Sequence, residues 1–299
     1  MWLVRLFPLG FLRRLGAVAG TCAYSLASSR RKTALSNLDL AYGDDLTSAE
    51  KVRIAKHSFQ RLVTTGLEFC YSPKLPSPIG DLVDPIGKEH LFRAYSEGKG
   101  VLVLLSHMGN WEVCARWATE NFPAVNAVVR KQKQAWVEKV VHDLRQGIGV
   151  IEIDKRNALR KVLAALRRGE LVFLMLDQHT QNEAVEVQFF GKPAMTSAAG
   201  ALFAIRLDCA VIVAACFRNP KGGWGSVFSE PIPTLRTGDR DRDYVVNTQR
   251  YVNVTEGFIR DHPEDWMWMH RRWRTGKNLR STGKSENRVS ETDCNDGTT

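Results

Sequence analysis

No uninterrupted apolar run in this sequence reaches the ~20 residues that a membrane-spanning helix requires. Arg5, Arg13 and Arg14 break the most apolar stretch, at the amino terminus, so a polytopic membrane protein is excluded. The six cysteines (Cys22, Cys70, Cys114, Cys209, Cys216 and Cys294) include no C-x-x-C pair. That argues against a disulfide scaffold or a zinc ribbon and for a reducing compartment. The chain also lacks a nucleophile elbow bearing Ser or Cys, an H-E-x-x-H pair and a P-loop glycine pattern. A metal mechanism and a covalent serine mechanism therefore have little support. No internal repeat is visible, nor any linker that would divide two cores.

What remains is an ordinary globular composition over 299 residues, 44% hydrophobic and 25% charged. Lys+Arg 42 against Asp+Glu 32 leaves a formal charge of +10. A basic excess of this size suits nucleic acid, anionic lipid headgroups or phosphorylated substrates about equally.

Residues 1–27 combine Trp2, Leu3, Leu6, Phe7, Leu9, Phe11 and Leu12 with interleaved arginines. This is the composition of one or two amphipathic helices lying among the headgroups of an anionic leaflet. Packing on the protein's own core is the competing reading. A secretory signal fits poorly, because Ser28-Ser29-Arg30-Arg31-Lys32 follows in place of a small-residue cleavage site. The basic cluster predicts that this end stays on the cytoplasmic side.

Residues 47–71 have helical periodicity and open with a capping box, Thr47 lying three residues before Glu50. Residues 73–88 are rich in Pro and Gly and predict a loop with room for a short strand. Apolar runs of strand length follow at residues 101–106, 124–130, 149–153, 171–176 and 210–217, with helical patterns between them, clearest at 157–168. Such an alternation predicts an α/β fold, a mostly parallel central sheet flanked by helices on both faces. Residues 245–260 predict a further helix, and 277–299 a disordered polar tail.

The stretch Ser106-His107-Met108-Gly109-Asn110-Trp111-Glu112 lies directly after a buried strand, where open parallel sheets place their sites. Gly109 permits a sharp turn, and Asn110 is a good N-cap for a helix starting at Trp111. On one continuous helix a separation of five would hold His107 and Glu112 about 140° apart. Across a strand–turn–helix corner they can meet. A carboxylate on one imidazole nitrogen would leave the other free as a general base. Against this stands a structural reading, in which Glu112 simply complements the helix dipole and His107 is a hydrogen-bonded core residue.

The motif H-M-G-N-W-E resembles the H-x4-D/E signature of the glycerolipid and lysophospholipid acyltransferase superfamily. Its G-N-W-E form is similar to the branch containing the bacterial lipid A secondary acyltransferases and the mycobacterial phosphatidylinositol mannoside acyltransferases. Further segments resemble that branch in order along residues 30–275. They are the basic segment ending in Asn37-Leu38, the arginine-bearing segment 144–149, Asp177-Gln178, residues 189–196 (FFGKPAMT) and residues 263–273 (PEDWMWMHRRW). The lipid A enzymes usually read Asp-Gln-Asp where this chain has His179 in third place, which bears on the acceptor more than on the reaction.

The resemblance implies a glycerolipid acyltransferase-like domain over residues 30–276, behind a membrane-associated segment 1–29 and ahead of the tail 277–299. It implies His107 as general base and Glu112 as the residue orienting it, with Arg145 and Asp177 in the same site. Arg145 would face an oxyanion or a substrate phosphate; Asp177 would hold a hydroxyl or pair with Arg145. The acyl donor would be an acyl carrier protein thioester (or acyl-CoA) as co-substrate, with no cofactor and no metal. The acceptor would be a glycolipid hydroxyl, the setting the cytoplasmic face of the inner membrane, and nucleic acid no partner. The Trp266, Trp268 and Trp273 cluster is expected to be a packed carboxyl-terminal strand or helix. If it is a strand, Trp266, Trp268 and His270 share a face.

Overall fold

The computed structural model describes residues 2–181 and 183–273. The expected polar tail lies outside them. In chain order the elements are α1 (Leu9–Leu26), α2 (Ser28–Tyr42), α3 (Ser48–Tyr71), β1 (Val83–Ile86), α4 (Lys88–Ser96), β2 (Val101–Leu105), α5 (Trp111–Asn121), β3 (Val125–Val129) and α6 (Ala135–Gly147). They continue with β4 (Val150–Asp154), α7 (Ala158–Arg167), β5 (Leu171–Met175), β6 (Ala184–Phe189), β7 (Lys192–Ser197), α8 (Ala199–Leu207), β8 (Ala210–Arg218), β9 (Trp224–Phe228) and α9 (Arg240–Asp261).

Every residue of β2 is buried because both faces of the sheet are covered. Leu102 and Leu104 enter one apolar cluster with Val162 of α7, Phe203 of α8 and Tyr251 of α9. Val101, Val103 and Leu105 enter a second cluster with Leu91 of α4 and Trp117 of α5. An alternation of side chains between two dry faces is what turns a parallel strand into a continuous apolar run. Seven strands form the sheet in the order β1-β9-β8-β2-β5-β3-β4, all neighbours parallel except the antiparallel β8–β9 pair. The α/β fold with a mostly parallel sheet is thus the one the sequence predicts.

Among the elements that escaped the sequence reading are strand β9, which lies between β1 and β8, and the hairpin β6–β7. The hairpin turns on Phe190 and Gly191, both at positive φ (52° and 66°). Two such residues in succession match the twist of the flanking strands.

At the amino terminus, α1 is packed on one side and bare on the other. Leu12, Gly16 and Gly20 are buried against α3. A Cβ on Gly20 would lie 2.4 Å from the Gln60 Cα, and one on Gly16 2.8 Å from the Thr64 Cα, so glycine is what lets the two backbones approach. The opposite side exposes Phe11, Leu15 and Val18, continuing the exposed Leu3, Leu6 and Phe7 ahead of the helix. Among the described residues no helix is long and apolar enough to cross a membrane. The capping box at the start of α3 is formed as expected, with both reciprocal bonds between Thr47 and Glu50.

Candidate active site

The rim of the sheet brings two distant segments together through register. Strands β2 and β5 are parallel neighbours, with Leu105 opposite Met175. Two residues further on, His107 and Asp177 emerge side by side at the carboxyl ends of their strands. His107 Nδ1 lies 2.8 Å from Asp177 Oδ1, and the His107 backbone N–H donates to Asp177 Oδ2 at 2.8 Å. Trp266 Nε1 donates to the same Oδ2 at 2.8 Å. Burial alone would raise the Asp177 pKa. The attraction of the imidazole in its protonated form, with the bonds from His107 and Trp266, outweighs it and holds the carboxyl down at about 2. An ionised Asp177 can only accept, so Nδ1 carries the imidazole proton and Nε2 keeps its lone pair. The Gln178 amide nitrogen stands 3.3 Å from that Nε2.

The carboxylate expected on His107 was Glu112, and this pairing is corrected. The turn itself forms as predicted: Gly109 has φ 55°, and Asn110 caps α5 by accepting from the Val113 N–H at 3.2 Å. Glu112, however, faces α6. Its carboxylate accepts from Arg145 Nε at 3.1 Å and from Arg145 Nη2 at 2.6 Å. Trp111 separates it from the histidine, with its ring edge-on to the His107 ring at 5.2 Å and its Nε1 donating to Glu112 Oε1 at 3.1 Å. Arg145 is therefore committed to carboxylates, its Nη1 reaching Glu152 Oε1 at 3.1 Å. Burial would lower the Arg145 pKa, but Glu112 and Glu152 more than offset that and raise it. Asp177 neither pairs with Arg145 nor stands idle. It holds the histidine.

The carboxyl-terminal aromatic block forms neither the expected strand nor the expected helix. Residues 263–265 make a single turn, Trp266 bridges Met108 in antiparallel fashion, and the chain then turns again. Trp266 and Trp268 are buried. Asn37 of α2 clamps the block, its Nδ2 donating to the carbonyls of Trp268 at 2.8 Å and His270 at 2.6 Å. Arg272, fully buried, donates to the Met195 carbonyl at 2.8 Å and to Thr196 Oγ1 at 2.5 Å. Burial pulls its pKa down to about 10. The scattered motif residues Asn37, Phe189, Phe190, Thr196 and Trp268 are thus linked through their contacts and Arg272 to Trp266, which holds Asp177.

Trp266, Gln178 and Trp111 contact the histidine or its carboxylate, yet the sequence reading gave them no role there. Gln178 and Trp111 were signalled by their adjacency to Asp177 and His107 and by the motifs they stand in. Trp266 could have been found only through its motif. The cleft beside His107 is narrow, about 10 Å³, and is walled by Ser58, Arg61, Gly109, Trp111, Asp265 and Trp266 among others. That is room for about one water. The His107 side chain is 19% exposed, enough to reach solvent through this opening. Among the described residues no cluster of His, Cys, Asp or Glu is arranged to hold a metal ion.

Residues 1–275 match the family model for bacterial lipid A biosynthesis acyltransferases. The chain belongs to that family. Its curated relatives include the phosphatidylinositol mannoside acyltransferase of Mycolicibacterium smegmatis, 26% identical over 199 residues, 65% of this chain and 64% of that protein. The lipid A biosynthesis lauroyltransferase of Escherichia coli is 24% identical over 283 residues, 92% of this chain and 89% of that protein. The E. coli palmitoleoyltransferase is 24% identical over 284 residues, with the same coverage. The match to the mycobacterial relative thus spans slightly less than two thirds of its length.

Proposed function

We propose that this protein is an O-acyltransferase that moves a fatty acyl chain from an acyl carrier protein thioester to a hydroxyl of a phosphorylated glycolipid, a lipid A precursor. The observation that carries the reading is the Asp177–His107 pair at the ends of adjacent parallel strands, in a chain of this family. Asp177 fixes the imidazole with Nε2 unprotonated, and Nε2 takes the acceptor hydroxyl proton as the oxygen attacks the thioester carbonyl. The tetrahedral intermediate collapses with loss of the thiolate, which recovers the proton from the imidazolium. No acyl-enzyme forms. Glu112 and Arg145 act through position: their ion pair ties the start of α5 to α6 and braces Trp111 against His107. The chemistry needs no cofactor.

The narrow cleft implies that donor and acceptor part its walls on binding. Attachment to the cytoplasmic face of the inner membrane, along the bare apolar side of α1, fits the exposed Phe7, Phe11, Leu15 and Val18. A phosphatidylinositol mannoside is the second acceptor to test. It is favoured by the similarity to the mycobacterial relatives and by His179 in place of an acidic residue. The deciding assay incubates the purified protein with acyl carrier protein thioester and either glycolipid, then reads products by mass spectrometry. Acylated lipid A precursor supports the reading. Acylated mannoside alone moves the acceptor, and release of free fatty acid would make the protein a hydrolase.

A further inference from the structure

A second opening, larger than the cleft at His107, lies between α1, α3 and the β8–β9 turn. It has a volume of about 450 Å³, and its walls include Arg13, Arg61, Arg218, His57, Gln60 and Asn219. Among the described residues no carboxylate lines it. Behind the wall stands Glu68, its side chain fully buried. It accepts from Arg13 Nε at 2.7 Å, Asn110 Nδ2 at 3.0 Å, Trp224 Nε1 at 3.1 Å, and also from Arg218 Nη1. Burial works against its charge, but Arg218 and Arg13 outweigh that and keep its pKa below the usual carboxylate range.

Two guanidinium ions therefore share one carboxylate, and one positive charge is left over. On both arginines a buried Nη2 has no hydrogen-bond partner. The indole of Trp224 lies 5.0 Å from the Arg13 guanidinium carbon and 6.0 Å from that of Arg218, which holds both groups in place. Buried donors without acceptors are uncommon in folded proteins, and an ion or water held nearby is one explanation for those that persist. Paired guanidinium N–H groups match the oxygens of a phosphate better than any single point charge.

This cavity adjoins the cleft at His107, because Arg61 lines both. Arg61 Nε stands 3.5 Å from Asp265 Oδ1, and Asp265 Oδ2 accepts the Arg218 backbone N–H at 3.3 Å. Of the acids near the opening, Glu264 Oε1 lies 2.9 Å from both Arg53 Nη1 and His57 Nδ1, while Asp265 Oδ1 has no hydrogen-bond partner. The helix that supplies Arg13 exposes Phe11, Leu15 and Val18 on its outer side, so a phosphate carried by a lipid would meet the cavity at the level of that apolar surface.

We infer that this cavity binds a phosphate ester of the lipid acceptor and so positions the acceptor hydroxyl toward His107. The inference rests on the proposed acyl transfer for the identity of the lipid, though not for the binding of phosphate. The binding arm titrates hexyl phosphate, with hexanol as control, into wild-type protein and into Arg61→Gln and Arg13→Gln, reading tryptophan fluorescence. Saturable binding of hexyl phosphate alone, weakened about tenfold or more in the variants, is expected for the loss of one charge-assisted bond. Equal binding of hexanol, or equal affinity in the variants, would overturn the site. Arg13→Gln strips a partner from buried Glu68; where circular dichroism shows it unfolded, Arg61→Gln decides alone.

The kinetic arm compares phosphorylated and dephosphorylated acceptor. Arg61→Gln should raise KM for the phosphorylated acceptor about tenfold, with a smaller change in kcat, and should erase the preference for it. A rise in KM for the thioester donor instead would assign the cavity to the donor's pantetheine phosphate and overturn the inference. Phosphate binding without any acyl transfer would refute the proposed reaction while leaving the binding arm standing, so the two failures are separable.

Discussion

Asp177 and Glu112 are both buried carboxylates beside the turn that follows β2, and each accepts a tryptophan N–H. They differ in what else they hold. Asp177 faces an imidazole with one oxygen and gathers two fixed N–H donors on the other. Glu112 faces a guanidinium that is already shared with Glu152. An imidazole has a second nitrogen to present to substrate; a guanidinium between two carboxylates has little left to offer. The comparison teaches that the acid five residues from a histidine in sequence can be a brace, while the acid seventy residues away is its chemical partner.

The sharpest way to break this comparison is to remove what both acids surround. His107→Ala should lower kcat by about 10²–10⁴-fold, the usual worth of a general base, in an assay of acyl transfer. Wild-type turnover in that variant would end the account. Asp177→Asn should cost nearly as much, again about 10²-fold or more, for a reason of geometry. Oδ2 accepts from the His107 backbone N–H and from Trp266, so the amide oxygen of an asparagine must take that place. Its NH2 then faces Nδ1 and donates to it, which forces the proton onto Nε2 and removes the base. Glu112→Gln should divide differently: a stability loss of about 1–3 kcal/mol from the lost charge of a buried partner to Arg145, which keeps only Glu152, with kcat of the folded protein reduced less than about tenfold. Chemical denaturation beside steady-state kinetics would check it.

The pH dependence sharpens the same contrast. The Asp177 carboxyl titrates at about 2 in the folded protein, below its ordinary value of about 3.9. Its contribution is therefore fully present above that ordinary value and lost as pH falls through about 2, a difference on the order of 2 kcal/mol. Denaturation of wild type against Asp177→Asn from neutral pH downward should show the gap between them narrowing below pH ~4. A gap that stays constant down to pH ~2 would contradict the assignment. The smallest expected effect is remote from the site. Gly20→Ala drives a methyl toward the Gln60 backbone and should cost about 1–3 kcal/mol of stability, with no change in the pH profile of turnover.

Much of the fold was legible because strands buried on both faces leave continuous apolar runs, and residues 101–105 and 171–175 are such runs. His107 was legible for the same reason, as the first ionisable side chain after the end of β2, at a glycine turn. Its partner was not. The pairing depends on β2 and β5 being neighbours in register, which lies in the strand order and not in either segment alone. Sequence proximity pointed to Glu112, and only the packing of Trp111 between the two side chains shows why they do not meet. The β6–β7 hairpin was hidden by its own motif: Phe190-Gly191 was read as part of a family segment and not as a two-residue turn. The support of Trp266 and Asp177 was likewise spread over Asn37, Thr196 and Arg272, residues whose spacing carries no local signal.

The tautomer of His107 tests the central claim most directly. A two-bond nitrogen–proton NMR spectrum of the neutral imidazole should show the proton on Nδ1 in wild type and in Glu112→Gln, and on Nε2 in Asp177→Asn. A wild-type spectrum with the proton on Nε2, or a switch caused by Glu112→Gln while Asp177→Asn leaves the tautomer untouched, would contradict it.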